Sequence, residues 1–183
     1  MSSSIYESGL CFGVFEEECL FHVEKSQIYK SLGSGVSIVD FILCGKKQEI
    51  LLIEAKSSSP KPGNQEDFDE FTNGIYNKFA HTIDLYFSLI LKRLDDVRGE
   101  MPDSFRTVDY SEVKIKLLLV INGHKDEWLP PITNALRSML KRQIKIWKLN
   151  ITVMNDLQAY EYDLLKDTPN TIVKSYEQTE SEE

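Results

Sequence analysis

The stretch VSIVDFILCGKKQEILLIEAKSSSP, residues 36–60, decides the fold that we predict for this chain. It holds two apolar, strand-like runs, 36–44 and 50–56, which are joined by a polar turn. Each run carries one carboxylate, Asp40 and Glu54, and Lys56 closes the second run. A carboxylate inside an apolar strand is costly unless it is paired or binds a metal ion. Asp40 and Glu54 are therefore the first candidates for a functional site.

Alternation along the two runs brings these carboxylates together. Residues two apart share one face of a strand, so Glu54 shares its face with the residues two before and two after it. A five-residue hairpin loop over 45–49 is an allowed connection, and it sets Cys44 opposite Ile50. Asp40 then lies opposite Glu54, where paired Cβ atoms are about 4.5–5.5 Å apart. Mg²⁺ or Mn²⁺ between the carboxylates would remove their repulsion, because hard cations take oxygen ligands.

The pattern Glu-x-Lys is a weak signal by itself, and a surface hairpin with a plain ion pair would also explain it. The chain has a second copy at 112–114, with Asp109 upstream. That copy lies before its strand and beside a polar loop, whereas the first copy closes an apolar run. The context favours a metal site at the first copy.

The rest of the fold follows from hydrophobic periodicity and from turn residues on either side of 36–60. The predicted elements are a short helix or irregular lead-in over 1–18, a strand over 19–26, a loop over 57–65, a long helix over 66–96, a surface loop over 97–113, a strand over 115–121, a helix over 131–141, a last strand within 144–154 and a closing helix over 156–165. An antiparallel meander followed by a βαβ unit predicts a mixed sheet with helices packed on it. We expect one domain over 1–165 and an acidic, disordered tail over 166–183.

Composition restricts the partners only weakly. The 183 residues carry 21 Lys and Arg against 29 Asp and Glu, a net charge of −8, which is unusual for a nucleic-acid binder. The charge is uneven, however, because residues 128–155 contain five basic residues and no acids. This local patch favours a nucleic-acid partner.

Three cysteines without framework spacing predict reduced thiols in a cytoplasmic protein. The N-terminus lacks the basic start and apolar run of a signal peptide. No apolar run approaches the roughly 20 residues that cross a bilayer, so no membrane partner is expected.

Asp40, thirteen intervening residues and then Glu54-Ala55-Lys56 at the end of an apolar strand resemble the motif of the PD-(D/E)XK nuclease superfamily. The likeness is tight over the motif hairpin and extends loosely, through the order of elements, over 19–155. Val39 stands where the pattern places a proline. The resemblance implies an α/β (mixed α+β) fold of the restriction-endonuclease type. Its αβββαβ core would have a central mixed sheet flanked by helices, with one long helix after the motif hairpin.

The same resemblance implies a chemistry. Asp40 and Glu54 would bind Mg²⁺ or Mn²⁺, the Ala55 carbonyl would be a further ligand, and Lys56 would be the catalytic lysine. The expected activity is metal-dependent hydrolysis of nucleic acid, with DNA favoured over RNA. A role in restriction or phage defence would fit by family analogy alone.

Further residues are weaker candidates. Family members often supply one more acid from the element before the Asp strand, and Glu24 takes that place here, with a solvated carboxylate as the alternative. Four basic residues could bind a phosphate backbone, with a solvated basic face as the alternative. These four are Lys141, Arg142, Lys145 and Lys148. Asn77 and His81 could approach the metal from the long helix, and the serines at 57–59 could contact phosphate.

A second function class remains open. The helix predicted over 66–96 would be roughly 40 Å long between Phe68 and Leu94, which exceeds the width of a small sheet. An inactive nuclease-fold module could use such a projecting helix to form a homodimer or to bind a partner protein. That alternative gives no reason for Asp40, Glu54 and Lys56 to coincide.

Overall fold

Two sheets form the framework of the protein in this computed structural model, which describes residues 1–45, 48–61 and 63–166. The strands are β1 (Ser2–Glu7), β2 (Leu10–Glu16), β3 (Leu20–Phe21), β4 (Phe41–Gly45), β5 (Glu49–Lys56), β6 (Lys114–Ile121) and β7 (Asn150–Asn155). β1 and β2 form a hairpin, and the other five strands lie side by side in chain order. β3, β4 and β5 are antiparallel, whereas β5, β6 and β7 are parallel. The predicted mixed sheet, a meander followed by βαβ, is confirmed.

The central strands are buried on both faces, which explains their continuous apolar sequences. From Ile50 to Ala55 every residue of β5 is buried, including Glu54. In β6 the run from Leu117 to Ile121 is buried as well. The carboxyl group of Glu54, near the end of β5, is therefore surrounded mainly by apolar residues of the strands.

Five α-helices accompany the sheets in the described residues. They are α1 (Gln27–Ser31), α2 (Gln65–Ile90), α3 (Leu129–Met139), α4 (Lys141–Trp147) and α5 (Asp156–Glu161). The long α2 begins where the Asn64 side chain accepts a hydrogen bond from the Asp67 backbone N–H. Its apolar stripe, including Ile75, Phe79 and Ile83, is buried in a core shared with β5 and β6.

α2 ends at Ile90, before the predicted boundary at residue 96. It does not expose an apolar face to solvent. Its exposed residues are polar or glycine: Gln65, Glu66, Asp67, Asp69, Glu70, Asn73, Gly74, Asn77 and Asp84. The rest of the helix is wholly or partly buried. The helix is therefore chiefly a packing element that covers one face of the sheet.

The prediction for residues 1–18 was wrong, because β1 and β2 occupy most of this segment instead of a helix or an irregular lead-in. Ile5, Leu10 and Phe12 belong to a second core cluster with Phe41 and Leu51. This hairpin and α5 lie over the face of the sheet opposite α2. The α-helix that the expected αβββαβ core places before its first strand is absent from residues 1–19, all of which are described; the segment contains only a 3-10 turn at Glu17–Cys19.

Two strands are shorter than predicted. The strand expected over 19–26 is Leu20–Phe21 only and gives way to a 3-10 turn at Val23–Lys25. The strand expected over 36–44 begins at Phe41. The reason lies in α2, because the Val39 N–H donates to Thr82 Oγ1 at 2.9 Å instead of joining a strand ladder.

The C-terminal part departs from prediction in one place. Residues 144–147, included in the range of the last strand, belong to α4, and β7 begins at Asn150. The closing helix is α5, which ends at Glu161 and not at residue 165. Of the predicted acidic tail, all but Lys166 lies outside the described residues. No helix of the described chain combines the length and apolarity that crossing a membrane requires.

Candidate active site

Asp40 and Glu54 lie side by side at the carboxyl end of β5. Cys44 pairs with Ile50, as the register derived from the sequence requires. Continuing that register sets Asp40, the residue directly before β4, opposite Glu54. The side chain of Asp40 is 9% exposed and that of Glu54 is 0% exposed. The fold therefore places two carboxylates together with very little access to water.

An ammonium group from α2 lies against both carboxylates. Lys78 Nζ is 2.8 Å from Glu54 Oε1, 2.9 Å from Glu54 Oε2 and 3.7 Å from Asp40 Oδ1. Lys78 reaches them because its helix covers the face of the sheet to which Glu54 points. Burial lowers the pKa of Lys78, but the charge and hydrogen bond of Glu54 outweigh burial, so that the pKa is raised. The lysine is thus held as a charged counter-ion.

Glu54 is the most constrained group of the site. Burial, reinforced by the charge of Asp40, raises its pKa to about 7, although Lys78 and Lys56 oppose the shift. Its Oε1 atom lies 2.9 Å from Lys56 Nζ as well as 2.8 Å from Lys78 Nζ. That oxygen nevertheless accepts no well-directed hydrogen bond from the described residues. Glu54 Oε1 is therefore ion-paired but incompletely satisfied, a condition that favours a cation ligand.

The backbone of Ala55 links the two carboxylates. Its N–H donates to Asp40 Oδ2 at 2.7 Å, and its carbonyl accepts from Ser8 Oγ at 3.0 Å. Ser8 occupies the turn between β1 and β2 with φ 52°, and its own carbonyl accepts from Asn122 Nδ2 at 3.2 Å. A carbonyl oxygen has two lone pairs, so the Ala55 oxygen can accept a second contact.

Lys56 connects the buried carboxylates with an open cleft of about 650 Å³. Its side chain is 34% exposed although Nζ contacts Glu54. Lys78 lines the same cleft, although its ammonium lies against Glu54. The remaining lining includes Ser37, Ser58, Ser59, Asp67, Glu70 and Phe71. Lys56 therefore offers a positive charge to an anionic group beside the carboxylates, whereas Asp67 and Glu70 carry negative charge elsewhere in the lining.

His124 holds one wall of this cleft in place. Its Nε2 lies 3.0 Å from Ser59 Oγ, and its ring meets the Trp128 ring edge to face. The residue is 7% exposed, and burial lowers the pKa of its imidazole. Ser58 and Ser59 line the cleft. Their contact with phosphate, suggested by the sequence analysis, stays a prediction.

Glu24 lies in the 3-10 turn and not in the first strand, where the sequence analysis placed it. Burial raises the pKa of Glu24, and the charge of Asp40 raises it further. Glu24 is therefore close enough to Asp40 for electrostatic interaction, and a role as an extra ligand stays a prediction.

The basic residues Lys141, Arg142, Lys145 and Lys148 are exposed on and just after α4, at the opposite end of the sheet. α4 leads into β7, whose first residue pairs with Lys116 near the start of β6. Glu54 pairs with Leu119, three residues further along β6, and lies two strands away from β7. At about 3.3 Å per residue, the separation along the strands is roughly 10 Å. This patch does not join the candidate site directly.

Two residues predicted to approach the site from the long helix do not. His81 Nδ1 is 3.1 Å from the Ser37 backbone nitrogen, and Asn77 is exposed. Lys78, which lies between them in the sequence, makes the contact instead. Sequence reasoning missed Lys78 because it considered only Asn77 and His81 among the polar residues of this part of the helix. Lys78 could have been predicted from one consideration: two buried carboxylates that face a helix require a positive charge from that helix.

The donor types fit a divalent cation of the Mg²⁺ or Mn²⁺ kind. Mg²⁺ is commonly held by one or two carboxylates, with water and substrate phosphate completing its shell. Asp40 and Glu54, whose Oε1 is unsatisfied, supply the carboxylates, and the Ala55 carbonyl is a further acceptor. In the described part of the chain, however, no three His, Cys, Asp or Glu side chains are grouped so as to hold a metal ion. The ammonium of Lys78 also lies against the same oxygens.

Comparisons with protein-family models, with curated proteins and with solved structures find no match for this chain. The assignment of a function therefore depends on the chemistry of the site.

Proposed function

We propose that this protein is a divalent-cation-dependent nuclease of the PD-(D/E)XK type. The observation that carries the proposal is the buried pair of carboxylates, Asp40 and Glu54, joined to an open cleft by Lys56. The topology supports a restriction-endonuclease-like fold, because a meander of three strands is followed by the long α2 and two parallel strands. The N-terminal hairpin departs from that expectation.

The charges of the site favour a phosphodiester as substrate. With both carboxylates ionised, Asp40 and Glu54 are balanced by Lys56 and Lys78. A divalent cation added to these four groups gives them an excess of positive charge, and Asp67 and Glu70 carry two negative charges elsewhere in the lining of the cleft. A phosphate anion entering the cleft would neutralise that excess.

Hydrolysis of a phosphodiester joins a water oxygen to phosphorus and releases a sugar oxygen, which takes up a proton. When bound at Asp40 and Glu54, a divalent cation would lower the pKa of a water and offset the charge of the phosphate. The Ala55 N–H keeps Asp40 turned toward Glu54. Lys56 contacts Glu54 at 2.9 Å and is more exposed than Lys78, 34% against 20%, so it can stabilise the negative charge that develops on the phosphate oxygens.

The experiment is a cleavage assay with single- and double-stranded DNA and RNA in Mg²⁺, Mn²⁺ or EDTA. Wild type would be compared with Lys56→Ala and with Lys30→Ala, which removes an exposed lysine of α1 as a matched control. We expect cleavage that requires the cation, persists in Lys30→Ala and disappears in Lys56→Ala. Cleavage in EDTA, or equal rates in all three proteins, would contradict the proposal.

One observation favours the alternative, an inactive module with a nuclease-like fold. The two lysines already neutralise both carboxylates, as a purely structural ion-pair cluster would require. Binding of a partner through α2 gains no support from its exposed residues, which are polar. If Mn²⁺ fails to raise the melting temperature of wild type, the alternative is favoured.

A further inference from the structure

Lys78 occupies the position that a cation bound by both carboxylates would need. Its ammonium contacts both oxygens of Glu54 within 2.9 Å and lies 3.7 Å from Asp40. An oxygen of a carboxylate that coordinates Mg²⁺ or Mn²⁺ cannot keep the same ammonium at hydrogen-bond distance without strong repulsion between the two cations. The contact with Lys78 and the binding of a cation therefore compete.

The surroundings of Lys78 offer an alternative place for its ammonium. The side chain is 20% exposed and lines the cleft into which Lys56 also opens. Glu70 and Asp67, about two and three turns earlier on the same helix, line that cleft too. A lysine has a flexible four-carbon stem, so its head can leave the carboxylates without any movement of the helix.

We propose that Lys78 is an internal counter-ion that exchanges with the divalent cation and then faces the cleft as a phosphate contact. Without the cation, Lys78 keeps two buried like charges together and preserves the shape of the site. With the cation in place, the displaced ammonium adds positive charge where the phosphate backbone would lie. This inference rests on the proposed function, because it takes Asp40 and Glu54 as the cation ligands.

The first test measures the affinity for Mn²⁺ by calorimetry in wild type, Lys78→Met and Lys78→Arg. Methionine has a side chain of similar length without the competing charge, so the dissociation constant of Lys78→Met for Mn²⁺ should be at least about tenfold lower than that of wild type. Arginine keeps the charge, so the dissociation constant of Lys78→Arg should stay near that of wild type. Lys116→Met, which removes a lysine paired with Glu49 at 2.8 Å elsewhere on β5, is the matched control. It should bind Mn²⁺ as wild type does.

The second test uses the wild-type protein and does not depend on any variant folding. Amine acetylation followed by mass spectrometry would compare Lys78 with the exposed Lys30, with and without Mn²⁺. We expect the labelling of Lys78 to rise several-fold when Mn²⁺ is bound, since its ammonium is released from Glu54.

The outcomes separate this inference from the proposed function. Equal Mn²⁺ affinities in wild type and Lys78→Met, together with unchanged labelling of Lys78, would overturn the exchange but leave the cation site in place. The absence of Mn²⁺ binding in both proteins would overturn the cation site and the exchange together. Tighter binding in Lys78→Met with increased labelling in wild type would support both.

Discussion

The chain contains the pattern Glu-x-Lys twice, and the two copies differ in burial, in the residues opposite them and in their ion pairs. Glu54 is buried at the end of β5, opposite a second carboxylate and in contact with two lysines. Glu112 and Lys114 are exposed at the start of β6, and Asp109, upstream of them, accepts hydrogen bonds from Ser111 only two residues away. Burial and an opposing acid, and not the spacing, therefore distinguish the candidate site from the second copy.

The two ends of β5 also differ in the burial of their ion pairs. Glu49 pairs with Lys116 at 2.8 Å, the same distance as the pair of Glu54 and Lys78. Glu49 is 12% exposed, whereas Glu54 is wholly buried and has Asp40 beside it. Two ion pairs of equal length can therefore differ widely in the loss of folding stability that follows when one partner is removed.

The largest expected difference is in catalysis. Lys56→Ala should lower kcat/KM for nucleic-acid cleavage by about 10²–10³-fold, because it removes a positive charge from the reacting phosphate. Lys114→Ala, the same change in the second copy, should leave the rate unchanged. Equal losses in both variants, or none in either, would mean that the two copies do not differ in function.

Removal of the buried counter-ion should cost the next largest amount. Lys78→Met should lower the free energy of unfolding at pH 7 in EDTA by about 3–5 kcal/mol, because it leaves buried carboxylates without their partner. Lys116→Met should cost about 1 kcal/mol or less, because its pair is nearer the surface. Urea denaturation followed by circular dichroism would measure both. Similar losses would refute the contrast between the two ends of β5.

The pH dependence of stability should distinguish the two glutamates. The folded pKa of Glu54, about 7, lies above its ordinary value of 4.5, so the folded protein retains a proton that the unfolded chain releases. The stability from Glu54 is therefore full below about pH 4.5 and is lost as the pH rises to about 7, a change of about 3 kcal/mol. Urea denaturation in EDTA across this range should show the decline in wild type and in Glu49→Gln. An equal decline in Glu54→Gln would exclude Glu54 as its origin.

The smallest expected effect concerns the turn between β1 and β2. Ser8→Ala removes the hydrogen bond to the Ala55 carbonyl and should lower the free energy of unfolding by about 1 kcal/mol. Ser31→Ala, which removes a local hydrogen bond to the Ile28 carbonyl within α1, is a control distant from the site. The Ser8 variant should also change the affinity for Mn²⁺, whereas the Ser31 variant should not. Equal Mn²⁺ affinities in both variants would argue against the Ala55 carbonyl as a ligand.

The sequence was sufficient to predict the sheet and the pairing of Asp40 with Glu54, because alternation and the turn between β4 and β5 determine the register. It was not sufficient to predict Lys78, since contact with the carboxylates depends on how α2 is rotated on the sheet. The strand predicted over 36–44 was too long for a similar reason. Thr82 of α2 takes the Val39 N–H, a tertiary contact that local propensity cannot show.

The most direct measurement is the anomalous scattering of manganese in crystals grown with Mn²⁺. The account predicts one strong peak between the carboxylates of Asp40 and Glu54, about 2.1–2.3 Å from their oxygens, with the Lys78 ammonium turned into the cleft. Crystals in which Lys78 still bridges the two carboxylates, with no manganese beside them, would contradict the central claim.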